Sequence, residues 1–112
     1  MPLLSMMTNI AIDNKPTVAL SLSSKVADLL HKPERYVMVN LQDQQPLIFG
    51  GSDEAAVYIE LKSINLPESE TAQLSSALSN FVSDQLSVKQ DRIYIEFSNA
   101  ERHMWGWKGA TF

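Results

Sequence analysis

The sequence predicts an α/β protein of the α+β kind: a tandem β-α-β repeat forming a four-stranded mixed sheet with two helices on one face. Two observations carry this. Apolar residues recur at helical spacing twice, over 16–30 and again at Leu74, Leu78, Phe81, Val82 and Leu86, each time between strand-like runs. The helix-to-strand junction also repeats, Leu29-x-x-Lys32-x-Glu34-Arg35 returning as Leu86-x-x-Lys89-x-Asp91-Arg92 at a constant offset of 57. Crossovers between parallel strands are right-handed, so each unit lays its helix on the same side of the joined sheet.

In chain order, residues 2–8 read as a strand that ends in the polar turn Asp13-Asn14-Lys15-Pro16. Proline suits a first helical turn, and Val18, Leu22, Val26, Leu29 and Leu30 give 16–30 an apolar stripe. His31-Lys32-Pro33 ends that helix, and 36–41 is apolar on both sides of the pleat, as a strand covered twice would be. Pro46-Leu47-Ile48-Phe49 fits a short edge strand, and Gly50-Gly51-Ser52-Asp53 a turn, with no Gly-Lys-Ser/Thr to make it a phosphate loop. A strand over 56–62, the second helix and a strand over 92–97 complete the repeat. The tail from Met104 to Phe112 is aromatic and glycine-punctuated, and Phe112 is expected to anchor on a neighbouring subunit.

A chain of 112 residues is one domain, 1–112. Thirteen acidic against nine basic residues, with no basic stripe, argue against nucleic-acid binding. The absence of cysteine excludes thiol catalysis, disulfides and zinc–thiolate sites. No run approaches a membrane span and no secretion signal leads the chain, so a cytoplasmic protein is the expectation. With both helices on one face, the other sheet face is left bare. Leu3, Leu4, Val37, Met38, Val39, Ile93 and Ile95 occupy both sides of the strands, which predicts an obligate oligomer whose sheets cover one another.

The candidate chemistry starts at Met1-Pro2. Removal of Met1 would leave Pro2 with a free secondary amine. A terminal amine titrates near neutrality, and apolar burial lowers its pKa further, which is the poise a general base needs. Proline at the second position is also common with no role beyond processing. Lys32 has its own plain reading as a cation at a helix C-terminus, with Lys89 at the matching repeat position. His31 and His103 are isolated, so no metal site is expected, and Glu60 and Lys62 read as solvated or cross-strand-paired charges.

Six short motifs in this order resemble the macrophage migration inhibitory factor family of the tautomerase superfamily: Met1-Pro2; Lys32-Pro33-x-x-Tyr36-Val37-x-Val39; Phe49-Gly50-Gly51-Ser52; Ser63-Ile64; Asp91-Arg92-Ile93-Tyr94-Ile95; and Gly106-Trp107-x-x-x-Thr111-Phe112. The resemblance implies a homotrimer and a cofactor-free keto–enol tautomerase of phenylpyruvate-like and dopachrome-like compounds. It implies Pro2 as base, with Lys32 and the Ile64 backbone N–H holding the substrate carboxylate. Tyr94 would enter from a neighbouring subunit, and Tyr36, Trp107 and Phe112 would line the aromatic part of the pocket. Glu96 stands where the family commonly has asparagine, which predicts altered or weaker substrate preference by repulsion. The family's CxxC positions are Ala56 and Ile59, so its thiol chemistry cannot occur here. The alternative implied by the family is a cytokine-like interaction protein, released without a signal peptide and recognised by a protein receptor, with a vestigial site.

Overall fold

The computed structural model describes residues 1–112. In order they form β1 (Pro2–Thr8), α1 (Lys15–Leu30), β2 (Met38–Gln42), β3 (Val57–Ile64), α2 (Thr71–Leu86), β4 (Ile93–Ala100), β5 (Gly106–Trp107) and β6 (Ala110–Thr111). The main sheet runs β2-β1-β3-β4, with β1 parallel to β2, β3 parallel to β4, and β1 antiparallel to β3 at the centre. This is the predicted mixed sheet of two β-α-β units. No helix is long and apolar enough to cross a membrane.

The period of two along the strands decides the core. Leu4 and Met6 of β1 and Val57, Ile59 and Leu61 of β3 are buried in one cluster with Leu22, Val26 and Leu30 of α1 and Leu74, Leu78 and Val82 of α2. Val18, Leu29, Phe81 and Leu86 pack against its edge, so both predicted helical stripes are the inner faces. The apolar strand residues are sorted between faces more cleanly than their runs implied. Leu4, Val39, Ile93 and Ile95 belong to or pack on the core, whereas Leu3 and Met38 stand on the uncovered side. There they share the surface with Ser5, Asn40, Glu60, Lys62, Glu96 and Ser98, and the bare face is mixed rather than apolar.

Two details of the repeat depart from the sequence reading. The helices begin at 15 and 71 and end at 30 and 86, an offset of 56 rather than 57. Their caps agree, His31 and Ser87 both taking left-handed backbone at φ 54° and 56°. Structurally, Lys32 therefore matches Val88, which is buried at 2% exposure, and Lys89 matches Pro33. The cation at position 32 is not a property of the repeat. The second departure is Tyr36, which lies in a 3₁₀ turn, Glu34–Tyr36, because the Tyr36 and Val37 N–H groups bond back to Pro33 and Glu34 at 3.1 and 2.9 Å.

Residues 46–49 form no strand beyond one bridge between Phe49 and Ser52. Pro46 has no N–H to offer a ladder, and the carbonyls nearby are taken by side chains. Asn9 Nδ2 donates to the carbonyls of Leu47, Asp53 and Glu54, and Arg92 donates to those of Phe49 (2.6 Å), Ser52, Glu54 and Ala55. Gly50 and Gly51, at φ 62° and 74°, make the turn inside this clamp. The tail is also local. Lys108 and Gly109, at φ 56° and 77°, close a two-residue hairpin between β5 and β6. Phe112 folds back onto its own chain, stacked on Trp107 with ring centroids 5.5 Å apart.

On the uncovered face Glu60 lies directly across from Glu96 rather than from a cation. Tyr58 Oη donates within reach of both carboxylates, 3.0 Å from each, and Tyr94 and Tyr58 are cross-strand neighbours. Partial desolvation first, then the two carboxylates, push the Tyr58 hydroxyl up to about 12. An unfolded tyrosine loses its proton near 10, so between pH 10 and 12 the unfolded chain holds fewer protons and stability falls as pH rises. Denaturant unfolding between pH 9 and 11.5 should show that slope, and Tyr58→Phe should flatten it. Arg92→Met, which keeps the alkyl stem and removes the clamp, should lower unfolding free energy by about 2 kcal/mol, read from the denaturation midpoint at unchanged m.

Candidate active site

The register of the central strand pair fixes where the chain begins. Pro2 pairs with Ser63, so Met1 lies beside Ile64 at the end of β3. Four of the motifs converge on this corner. A cavity of about 270 Å³ is lined by Met1, Lys32, Pro33, Tyr36, Ile64, Asn65, Arg102 and Phe112. A second hollow of about 400 Å³ shares Met1 and Tyr36 with it and adds Pro2, Trp105 and Trp107. A larger groove of about 530 Å³ lies along the uncovered sheet face, but Lys62 is its one ionisable side chain.

Lys32 is delivered by the end of α1. The Lys32 N–H bonds to the Ala27 carbonyl at 3.1 Å and the His31 N–H to that of Asp28 at 3.4 Å, the Schellman pattern, with His31 supplying the left-handed residue. Pro33 then prevents the helix from resuming, and Lys32 Nζ reaches across to the Ile64 carbonyl at 2.8 Å. The contact with Ile64 is to its carbonyl oxygen, which also accepts from the Ser63 hydroxyl at 2.9 Å. Burial first, then the charge of Arg102, hold the Lys32 ammonium below its ordinary pKa.

The terminal amine responds to the same surroundings. Partial burial, then Lys32, then Arg102 lower the Met1 amine from its ordinary value. All three causes favour the neutral amine. A base at this end of β1 is thus shifted in the direction that makes it available at neutral pH.

The aromatic wall comes from two separate parts of the chain. Tyr36, on its 3₁₀ turn, meets Trp107 edge to face at 5.7 Å, and Trp107 stacks on Phe112 at 12°. Arg35 lies over the Tyr36 ring at 4.7 Å and Lys108 over Trp107 at 5.8 Å. Trp107 keeps 50% of its surface exposed. Trp105 contributes to the rim of the hollow.

Pro2, Lys32, Ile64, Tyr36, Trp107 and Phe112 are therefore gathered at one corner, and Tyr94 and Glu96 are not. Asn99 is the β4 residue level with Ser63, five residues beyond Tyr94. That puts Tyr94 about 17 Å along the strands from the level of Pro2. Tyr94 packs on Phe49 with centroids 4.4 Å apart, in a wholly apolar recess with Leu47, Ile48, Val57 and Tyr58, and is 63% exposed. Glu96 is held by Tyr58 beside Glu60. Within one chain Glu96 stands three residues along the strand from the level of Pro2 and does not line the cavity at Met1.

Arg102 is the residue that sequence patterns did not mark. It stands in a 3₁₀ turn, Arg102–Met104, and belongs to none of the six motifs. The register of β4 on β3, with Ala100 level with Ile64, brings its charge to the cavity.

The macrophage migration inhibitory factor family profile matches residues 1–112. A macrophage migration inhibitory factor homolog from Trichinella spiralis is 35% identical over 114 residues, covering all of both chains. The solved structure of the factor from that organism superposes with a TM-score of 0.93 at 33% identity, over 98% of this chain and 99% of the other. A homologue from Prochlorococcus marinus gives 0.91 at 38% identity over 98% of each. Whole-length agreement in sequence and in superposed structure leads to one conclusion: this chain belongs to the macrophage migration inhibitory factor family, within the tautomerase superfamily.

Proposed function

We propose that the protein is a cofactor-free keto–enol tautomerase of aromatic α-keto acids of the phenylpyruvate type, with Pro2, freed by removal of Met1, as its general base. The observation that carries this reading is the convergence of the chain's first residues, Lys32 and the aromatic trio Tyr36, Trp107 and Phe112 on one corner. The neutral Pro2 amine takes a proton from the carbon beside the keto group, the electron pair moves into the carbonyl, and the proton returns to the oxygen of the enolate. Lys32 and the Ile64 N–H hold the carboxylate, and the cationic surroundings stabilise the oxyanion as it develops. The ring rests on the aromatic wall. No redox or group-transfer step arises, so the reaction balances within the substrate.

In this reading the working unit is a homotrimer, and Tyr94 enters from a neighbouring copy. Its exposure and its distance from Pro2 of the same chain support that route. Glu96 would accompany it, two residues along the same strand face, and weaken preference for anionic substrates relative to a neutral amide there. A second reading, an interaction protein of the cytokine-like kind, draws support from apolar side chains left in solvent near the corner, Met104 at 73% and Trp107 at 50% exposure.

Retained Met1 would make the Pro2 nitrogen an amide without basicity. Protein whose intact mass shows Met1 removed should therefore accelerate phenylpyruvate tautomerisation, and Pro2→Gly should lower kcat/KM by about a hundredfold or more, the usual weight of a positioned base. Loss of all activity in correctly processed wild-type protein would leave the interaction reading in front. The pH profile offers a separate check. Lys32 depresses the Met1 amine, and a Pro2 amine one residue along would face the same charge, so Lys32→Ala should move the acid limb of kcat/KM to higher pH.

A further inference from the structure

The corner at Met1 holds more positive charge than a single substrate carboxylate and Lys32 account for. The chain carries a net charge of −4, with nine Lys and Arg in all, yet Lys32 and Arg102 line one cavity while Arg35 and Lys108 sit on its aromatic wall. The two ion pairs of the chain are Lys15 with Asp43 at 3.3 Å and His103 with Glu101 at 3.4 Å. Neither neutralises Lys32 or Arg102. Lys32 spends one of its three donors on the Ile64 carbonyl. The Arg102 guanidinium makes no hydrogen bond to the chain, although Glu101 adjoins it in sequence and is turned to His103.

A surface arginine free of partners is ordinary, but this one is placed where it repels. Burial and Arg102 both bear on Lys32, so two like charges face a partly desolvated space that no carboxylate of the same chain lines. Such an arrangement is unfavourable when empty and is relieved by an anion. Arginine is also the side chain best shaped for a carboxylate, its planar fork giving two parallel hydrogen bonds where a lysine gives a point charge. Phe112, which lines the same cavity, would set the apolar part of the ligand beside that anion.

We propose that Arg102 is a second carboxylate-binding residue of this cavity, paired with Lys32, and that it selects α-keto acids bearing a free carboxylate over their neutral esters. The proposal rests on the tautomerase reading for the identity of the ligand, and deepens it by naming what recognises the acid group. It predicts a contribution to substrate binding rather than to proton transfer. Arg102 is therefore a specificity residue, and Pro2 remains the base.

Equilibrium binding separates this proposal from the catalytic one. Trp107 lies in the aromatic wall, so its fluorescence reports occupancy whether or not turnover occurs. Titrations would use phenylpyruvate and its methyl ester against wild-type protein, Arg102→Met, which keeps the alkyl stem without the charge, and Arg102→Lys. Arg102→Met should weaken phenylpyruvate binding about tenfold and leave the ester within twofold, while Arg102→Lys recovers part of the loss. In turnover the same variant should raise KM for phenylpyruvate with kcat little changed. Equal affinity of wild type and Arg102→Met for phenylpyruvate, an equal loss for acid and ester, or no binding of phenylpyruvate to wild type would each overturn the proposal. Binding with the expected dependence on Arg102 in a protein that proves catalytically inert would uphold it and reject the tautomerase reading instead.

Discussion

The antiparallel pairing of β1 with β3 is the constraint on which the rest depends. It joins the two β-α-β units at the centre of the sheet, and the pairing of Pro2 with Ser63 sets the level at which the chain starts. A slip of one residue would send Leu4 and Met6 to the open face and Leu3 and Ser5 into the core. The hydrophobic cost of that exchange holds the register, since Leu4 and Met6 are at most 1% exposed. The register, in turn, is what sets Met1 beside Ile64 and within the influence of Lys32. A stability requirement and a site geometry are thus met by the same set of contacts.

The two ends of the sheet are finished differently. At the corner near Met1 an amine, an ammonium and a guanidinium share one cavity with no ion-pair partner in the chain, the ammonium held by one carbonyl. At the opposite end of β3 and β4, Arg92 and Asn9 satisfy the carbonyls of a loop that lacks secondary structure of its own. Buried and half-buried polar groups are costly when unpaired, so a loop with so many exposed carbonyls needs such a clamp to hold one shape. That shape supports Phe49 under Tyr94, with Arg92 over the Phe49 ring at 4.8 Å. Charge is consumed for structure at one end and left free at the other.

The repeat shows how a sequence pattern can be right in kind and wrong in register. Lysine, acid and arginine recur at both helix exits with a spacing of 57, but the helices and their left-handed caps are spaced by 56. Backbone geometry counts turns and caps, while the lysine falls one residue later after the second cap than after the first. The consequence is local and concrete: Lys32 enters a cavity, while its true counterpart Val88 enters the core.

Periodicity and turn chemistry in the sequence alone determined the two helices, the four strands, the parallel pairing within each unit and the face each helix covers, because burial of one stripe per element admits few solutions. The motifs also named Pro2, Lys32, Ile64, Tyr36, Trp107 and Phe112, which the fold brings to one corner. Tertiary structure decided what depends on long-range placement. Side chains from different elements claimed the carbonyls around Pro46, so no edge strand forms there. The hairpin turned Phe112 onto Trp107, and the register of β4 on β3, with Ala100 level with Ile64, set Arg102 in the cavity with Lys32. It also decided that Glu96 faces Glu60 and Tyr58 within its own chain, three residues along the strand from the level of Pro2. Periodicity reports which side of an element meets water; it carries no information on which distant charge will share a cavity, and that is settled only when the whole chain has packed.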